Sequence, residues 1–341
     1  MRHGGYVLGV DGGASKTVAL VARCDDGTVV GAGRSGNADI YQTTRAESHV
    51  ADAIAQAVAD AAIAPEHILA ATLSLVGADW PEDFEHWHSK RAELGLGCLP
   101  AQRFSVVNDG IGGLESLSEA GAAVAVVCGT GAAVSARSAG GVTWHSSFWQ
   151  RTQGAVELAE AALEAVYLAE LGIGPATALT AEALAHFGVA DVEALLHRFT
   201  GRMASRPAEI GYFAPRLVRA AEEADPVARD IVLTHADKLA DYARVAARKV
   251  GIASGAPVTL LLSGGVFQSG SELMKDRVWQ IFQGRFPAAR REEANAIPVV
   301  GAVALALDLA DATRVDRHTI TSTLPDRRFF QTTGRNDGDT P

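Results

Sequence analysis

Four short stretches of this chain place glycine beside a carboxylate, a hydroxyl or an ammonium group. The first is Gly9-Val10-Asp11-Gly12-Gly13-Ala14-Ser15-Lys16-Thr17. Backbone N–H groups, the Ser15 and Thr17 hydroxyls and the Lys16 ammonium could surround a phosphate in such a turn, while Asp11 faces a hydrated magnesium ion. Asp-Gly is equally the chemistry of a plain hairpin, so this stretch alone leaves both readings open. It is not a G-x-x-x-x-G-K-[ST] loop, and no helix follows immediately to lend its dipole. The second stretch, Cys128-Gly129-Thr130-Gly131, sets two glycines around a hydroxyl and allows close backbone approach to an anion, or again a hairpin. The third, Ser263-Gly264-Gly265-Val266, could let backbone pass flat against a nucleotide base or sugar. In the fourth, Val106-Val107-Asn108-Asp109-Gly110, Asp109 closes an apolar run. A carboxylate at the carboxyl end of a strand can take the proton of an alcohol, and the alternative is a solvated Asx turn.

These stretches need strands to position them. Tyr6–Val10, Lys16–Cys24 and Thr28–Gly33 read as an antiparallel meander punctuated by glycines and by Asp25-Asp26-Gly27. Thr44 and Glu47 form a T-x-x-E pattern, and Val50, Ile54, Ala57, Val58 and Ala61 follow at helical spacing, which predicts a capped helix to about Ile63. Ile68–Val76 and Phe104–Val107 are strand-length apolar runs, separated by a polar, tryptophan-bearing stretch over 79–96. The pattern then restarts: Ala122–Cys128, Ala132–Ser138 and Gly141–His145 form a second meander, and a helix follows through Val156, Ala159, Leu163 and Val166, capped by Gly172 and stopped by Pro175. Helices dominate to Gly251, including a long one over 227–250 that suits a core or a dimer surface. Strand Val258–Leu262 and a last helix at 299–310 complete the ordered chain. The polar segment beyond 322 is expected to be flexible.

Length and composition bound the partners. The 341 residues suit about two domains, and 48% hydrophobic content is ample for buried cores. Forty acidic against 30 basic side chains give a net charge of −10, which offers no basic surface to nucleic acid or anionic lipid. Three widely separated cysteines form no zinc or redox pair, and no long apolar run or signal-like segment is present, so a reduced, cytoplasmic protein without a membrane span is expected. Small molecules are the expected partners.

Taken in order, the four stretches resemble the N-acetylglucosamine kinase and BadF-type ATPase family of the actin, hexokinase and heat-shock-chaperone superfamily, over about Val7 to Leu309. The resemblance implies an α/β fold of two actin-like (ribonuclease H-like) domains, each a mixed sheet flanked by helices, with ATP in the cleft between them. It divides the chain into 1–118, with the helix at about 298–312 packing near the hinge, and 119–297. ATP would be held by Gly12, Gly13, Ser15, Lys16, Thr17, Gly129, Thr130, Gly131, Gly264 and Gly265, and Mg²⁺ by Asp11 through water. Asp109 falls on the catalytic aspartate. Asn37, Gly77, Asp79, Asn108, Asp109, Thr152 and Gln153 fall at the sugar. The implied activity is phosphorylation of a sugar or amino-sugar hydroxyl, with a nucleotide-gated sugar sensor as the alternative, a dehydratase-activating ATPase a distant third, and a homodimer as an option.

One departure stands out. Kinases of this family carry a glycine-aspartate-glutamate-glycine-serine stretch where this chain has Arg151-Thr152-Gln153-Gly154-Ala155. Thr152 and Gln153 can hydrogen-bond hydroxyls but accept less strongly than carboxylates, so another amino sugar, a hexose or a polyol competes with N-acetylglucosamine. The paired cysteines of the dehydratase activators and the zinc-binding cysteines of the ROK kinases are absent. His86-Trp87-His88 reads as surface or packing rather than metal ligation, because i,i+2 side chains diverge on a helix. Trp144, Phe148 and Trp149 suit either core packing or stacking on a sugar ring.

Overall fold

The computed structural model describes residues 4–116, 121–202, 208–269, 272–293, 297–312, 315 and 317–330. The chain divides into two compact units, Met1–Ala120 with Ala296–Pro341, and Gly121–Asn295.

In the first unit, β1 (Tyr6–Gly12), β2 (Thr17–Arg23) and β3 (Val29–Ser35) form the antiparallel meander. Helix α1 (Ala46–Asp60) crosses to β4 (Ile68–Leu75), which pairs parallel to β1; α2 (Pro81–Ser89) then leads to β5 (Phe104–Asn108), parallel to β4, and α3 (Asp109–Glu115). The sheet order is β3-β2-β1-β4-β5. Alternation along β1 explains its two covers. Leu8 and Val10 join the core that includes Val50, Ala53 and Ile54 of α1, while Val7 faces the opposite layer with Val299, Val300 and Val303.

In the second unit, β6 (Ala123–Cys128), β7 (Ala132–Arg137) and β8 (Thr143–His145) repeat the meander. Helices α4 (Ala155–Glu170), α5 (Leu179–Phe187), α6 (Val192–Thr200), α7 (Ala208–Gly211), α8 (Ala214–Glu222) and α9 (Pro226–Lys249) precede β9 (Val258–Ser263), which pairs parallel to β6. Helix α10 (Glu272–Arg285) returns the chain to β10 (Ala289–Glu293), parallel to β9. The order β10-β9-β6-β7-β8 is that of the first sheet, strand for strand. Helix α9 is core: Val232, Leu239, Ala240, Ala243 and Ala247 are all fully buried.

Helix α11 (Pro298–Leu309) returns to the first unit and lies on β1. Its approach depends on absent side chains. A Cβ on Gly9 would stand 2.4 Å from the Val303 backbone nitrogen, and one on Gly301 would stand 1.9 Å from the Gly112 carbonyl.

Three expectations are corrected. The Thr44/Glu47 capping box does not form; the Thr43 hydroxyl accepts from Arg45 N–H, and Glu47 pairs instead with His86 (2.9 Å) and Lys90 (3.4 Å). Strand β10 escapes the apolar-run criterion because Ala-Arg-Arg-Glu-Glu is a charged edge strand. The segment beyond 322 is structured over its described part, to residue 330. After α12 (Arg317–Ser322), Leu324, Phe329 and Phe330 pack against the α11 layer, and the Thr323 hydroxyl accepts from Val29 N–H. Residues 331–341 of that segment lie outside the described residues.

Candidate active site

The first unit gathers carboxylates at the carboxyl ends of β1 and β5. Asp11 precedes a turn closed by Gly13 N–H on the Lys16 carbonyl (2.8 Å). That turn is stitched to its neighbours: Val76 N–H donates to the Gly12 carbonyl (2.8 Å) and Ala38 N–H to that of Gly13 (3.0 Å). A Cβ on Gly12 would meet Ala38 and Leu75 at 2.6 Å, whereas Gly13 has open space apart from the Lys16 carbonyl. Ser15 is exposed at the tip. Thr17 is buried, with its hydroxyl donating to the Gly36 carbonyl (2.8 Å), and Lys16 donates through Nζ to the Phe330 carbonyl. Among the three side chains expected at phosphate, then, Ser15 alone stands exposed at the turn.

Asp109 opens α3, whose N-cap is Asn108. The Asn108 Oδ1 and the Asp109 Oδ1 both accept from Gly110 N–H (3.0 and 2.9 Å). Asn108 Nδ2 donates to Asp79 Oδ1 (2.8 Å), which fixes the carboxylate of the β4–α2 loop beside the β5 end. Asn37 folds its Oδ1 onto Asp39 N–H (2.7 Å), and Asp39 in turn accepts from Tyr41 N–H (2.9 Å). Gly77, at φ +71°, lies where a side chain would press on Asp39 and Tyr41. Sequence spacing does not single out Asp39, Tyr41 or Asp83; their proximity to Asp79 is created by folding.

Crowded carboxylates raise one another's proton affinity. Asp11 is pushed up to about 7 by burial and then by Asp109, with Lys16 opposing. Asp109 is pushed up to about 6 by burial and by Asp79 and Asp39, against the Gly110 N–H. Burial and Asp79 likewise raise Asp39. Among the described residues no group of three or more His, Cys, Asp or Glu side chains is arranged to hold a metal directly. A lone carboxylate does suit Mg²⁺, which keeps most of its waters and shares the rest of its shell with phosphates. Asp11, disfavoured as an anion where it stands, is the residue a nearby divalent cation would relieve.

Folding raises the proton affinity of both Asp11 and Asp109, which gives stability a pH dependence. Both folded-state values lie above the unfolded carboxylate value. Their contribution is therefore present at pH 4 and lost as pH rises through about 6 to 7. Asp11→Asn should leave Tm unchanged at pH 4 and raise it by a few degrees at pH 8, measured by thermal unfolding in chelator-treated buffer. An equal or lower Tm for the variant at pH 8 would show that Asp11 is not destabilised as an anion.

The second unit builds a cradle of glycines at the ends of β6, β7 and β9. Gly129 N–H bonds back to the Gly131 carbonyl (2.8 Å), and the start of α4 docks on the same turn through Ala155 N–H to the Gly129 carbonyl (2.8 Å). Gly154 makes this docking possible: a Cβ there would stand 2.2 Å from the Gly131 carbonyl and 2.3 Å from that of Gly129. Gly264, at φ +104°, presses on the Cys128 backbone, whose carbonyl accepts from Val266 N–H (3.0 Å). Nothing approaches Gly265. Because Gly129 N–H is already engaged, Thr130 and the open faces of Gly131 and Gly265 are what this cradle presents. Burial pushes the Cys128 thiol up to about 12, so it serves as a small apolar group.

Of the two residues expected at the sugar in this stretch, Thr152 is buried at 4% exposure and Gln153 is exposed. Gln153 N–H donates to Glu157 Oε2 (2.5 Å), and Glu157 Oε1 takes Lys238 (3.0 Å). Glu157, in the first turn of α4, ties this stretch to α9; that place in a first helical turn is the signal that could have found it. Beside it His235 is buried and pushed down to about 4 by desolvation. Trp144 packs on the core, whereas Phe148 and Trp149 are exposed at 53% and 69%, turned outward by Ser147 at φ +39°. His86 and His88 meet Glu47 and Phe104, respectively, and Trp87 between them is fully buried.

Two mixed sheets of identical order, each flanked by helices and each ending its first strand in a glycine turn, constitute the actin-like, hexokinase-type ATPase fold. Solved structures share it. A candidate N-acetylglucosamine kinase from Chromobacterium violaceum aligns at TM-score 0.64 and 22% identity, covering 89% of this chain and 98% of its own. A candidate N-acetylglucosamine kinase from Porphyromonas gingivalis aligns at 0.61 and 14%, covering 89% and 99%. A ROK family glucokinase from Streptomyces griseus, solved with glucose and AMPPNP, aligns at 0.54 and 17%, covering 90% and 99%. The chain belongs to the BadF/BadG/BcrA/BcrD ATPase family, whose model matches residues 8–306. No curated protein matches it. Among the described residues no helix is long and apolar enough to cross a membrane.

Proposed function

We propose that this protein is an ATP-dependent kinase that phosphorylates a hydroxyl of a sugar or amino sugar. The observation that carries the reading is Asp109, a carboxylate held by Gly110 N–H at the end of β5, beside the Asn108–Asp79 pair and with its proton affinity raised to the neutral side of the carboxylate range. In that state Asp109 is ionised at pH 7.5 yet more basic than an ordinary aspartate, as a general base should be. Asp109 takes the acceptor hydroxyl proton, the oxygen attacks the γ-phosphorus, and ADP leaves with the bridging oxygen. Asp79 and Asn108 orient the acceptor. Ser15, the open space beside Gly13 and the Thr130–Gly131 turn are assigned to the phosphates, and Gly264–Gly265 to the adenosine. Asp11 would hold Mg²⁺ through water, and the ion would supply charge neutralisation at the phosphates. Lys16, which spends one of its three N–H donors on the Phe330 carbonyl, has two others to offer a phosphate oxygen. A nucleotide-gated sensor would need no base at position 109.

The replaced acidic pair supports an acceptor preference other than a strong one for N-acetylglucosamine. The test is a coupled ADP-release screen over hexoses, amino sugars and polyols, with ATP alone as control. Sugar-dependent release is expected. Release equal with and without every acceptor would identify a hydrolase instead, and a large preference for N-acetylglucosamine would remove the specificity argument.

A further inference from the structure

Tyr41 stands the wrong way round for a surface tyrosine. An amphipathic ring normally buries its apolar body and leaves its hydroxyl in water. Here the residue is 55% exposed while its hydroxyl donates to both oxygens of Asp83 (2.9 and 3.2 Å), a residue only 5% exposed. Burial and Asp83 push the phenol up to about 12, so it stays a neutral donor. The same carboxylate accepts from Asp79 N–H (3.0 Å) and Trp80 N–H (2.8 Å). Trp80, next in chain to Asp79, is itself 41% exposed. One buried side chain thus fixes the Tyr41 hydroxyl and the backbone of the loop that carries Asp79 and Trp80, and the Tyr41 ring borders Gly77 at the foot of that loop.

Two exposed aromatic residues beside acceptor-binding carboxylates, one of them anchored through its hydroxyl, are the complement of a molecule with polar edges and an apolar face. A pyranose ring with equatorial hydroxyls has that form: its axial C–H bonds make a flat apolar face, and its hydroxyls project from the rim. An open-chain polyol has no such face. Pre-anchoring by Asp83 also lowers the ordering entropy that stacking would otherwise cost.

We propose that Tyr41 and Trp80 form a stacking platform that selects a closed pyranose ring over an open-chain polyol, with Asp79 and Asn108 reading its hydroxyls. This rests on the kinase reading for the identity of the acceptor site. The experiment therefore measures binding and turnover separately. Calorimetry with glucose, glucosamine, N-acetylglucosamine, sorbitol and glycerol, in the presence of a non-hydrolysable ATP analogue, is run on wild type, Tyr41→Ala, Tyr41→Phe and Trp80→Ala, each checked for an unchanged circular dichroism spectrum. The ADP-release assay is run in parallel.

A pyranose should bind wild type more tightly than either polyol. Each alanine variant should lose about tenfold or more in pyranose affinity and raise the sugar KM equally, with the KM for ATP unchanged. Tyr41→Phe, which keeps the ring and loses the anchor, should fall between. Alanine variants with wild-type sugar affinity, or a wild type that prefers sorbitol or glycerol, would overturn the platform while leaving ADP release to judge the kinase reading. Pyranose binding that is lost in the alanine variants without any ADP release would uphold the platform and overturn the kinase reading. Absence of binding by every sugar would overturn both.

Discussion

Asp109→Asn should lower sugar-dependent ADP release by about 10²–10⁴-fold while leaving ATP affinity within a factor of two or so of wild type. The amide keeps the size of the side chain and the oxygen that accepts from Gly110 N–H, so α3 should keep its start. What it loses is the capacity to take a proton. It also removes a negative charge that raises Asp11, so the variant should be no less stable than wild type above pH 6. In wild type the rate should rise with pH through about 6, where Asp109 ionises, and then level off. Asp109→Asn should abolish that limb together with the activity. Retention of most of the wild-type rate by a folded variant would place the base elsewhere.

Gly264→Val should strongly destabilise the second unit. The residue sits at φ +104°, where a side chain is strained whatever the surrounding space, and a Cβ would stand 2.4 Å from the Cys128 carbonyl oxygen and 2.8 Å from its nitrogen. Both neighbours are backbone of β6, and the Cys128 carbonyl is already committed to Val266 N–H. Strain of about 1–3 kcal/mol and a comparable overpacking cost combine to about 3 kcal/mol or more. Thermal unfolding should register a fall of roughly 6–12 °C. Gly265→Ala is the control: nothing lies within 4 Å of its Cβ position, so Tm should hold. On the kinase reading that methyl group would crowd the adenosine and weaken ATP binding. Equal Tm losses for both variants would mean that the Gly264–Cys128 contact is not the tight one described.

What the chain states locally, it states clearly. Both meanders, β4, β9 and the helices at 46–60, 155–170 and 298–309 follow from residue spacing, because alternation and 3.6-residue periodicity are properties of adjacent residues. The four glycine and carboxylate stretches announce their chemistry for the same reason. Tertiary structure decided what depends on distant partners. Thr17 and Ser15 offer the same hydroxyl chemistry in sequence, yet one is buried with its hydroxyl on Gly36 and the other is exposed. Lys16 finds the Phe330 carbonyl 314 residues away. Strand β10 exists only because β9 offers it an edge, and the segment at 323–330 orders because α11 and β2 give Phe329 and Phe330 an apolar layer to cover. The raised proton affinities of Asp11 and Asp109 likewise belong to no motif. They arise because folding buries carboxylates and brings Asp39 and Asp79 beside Asp109, where mutual repulsion in a region of low dielectric accomplishes what residue identity alone cannot.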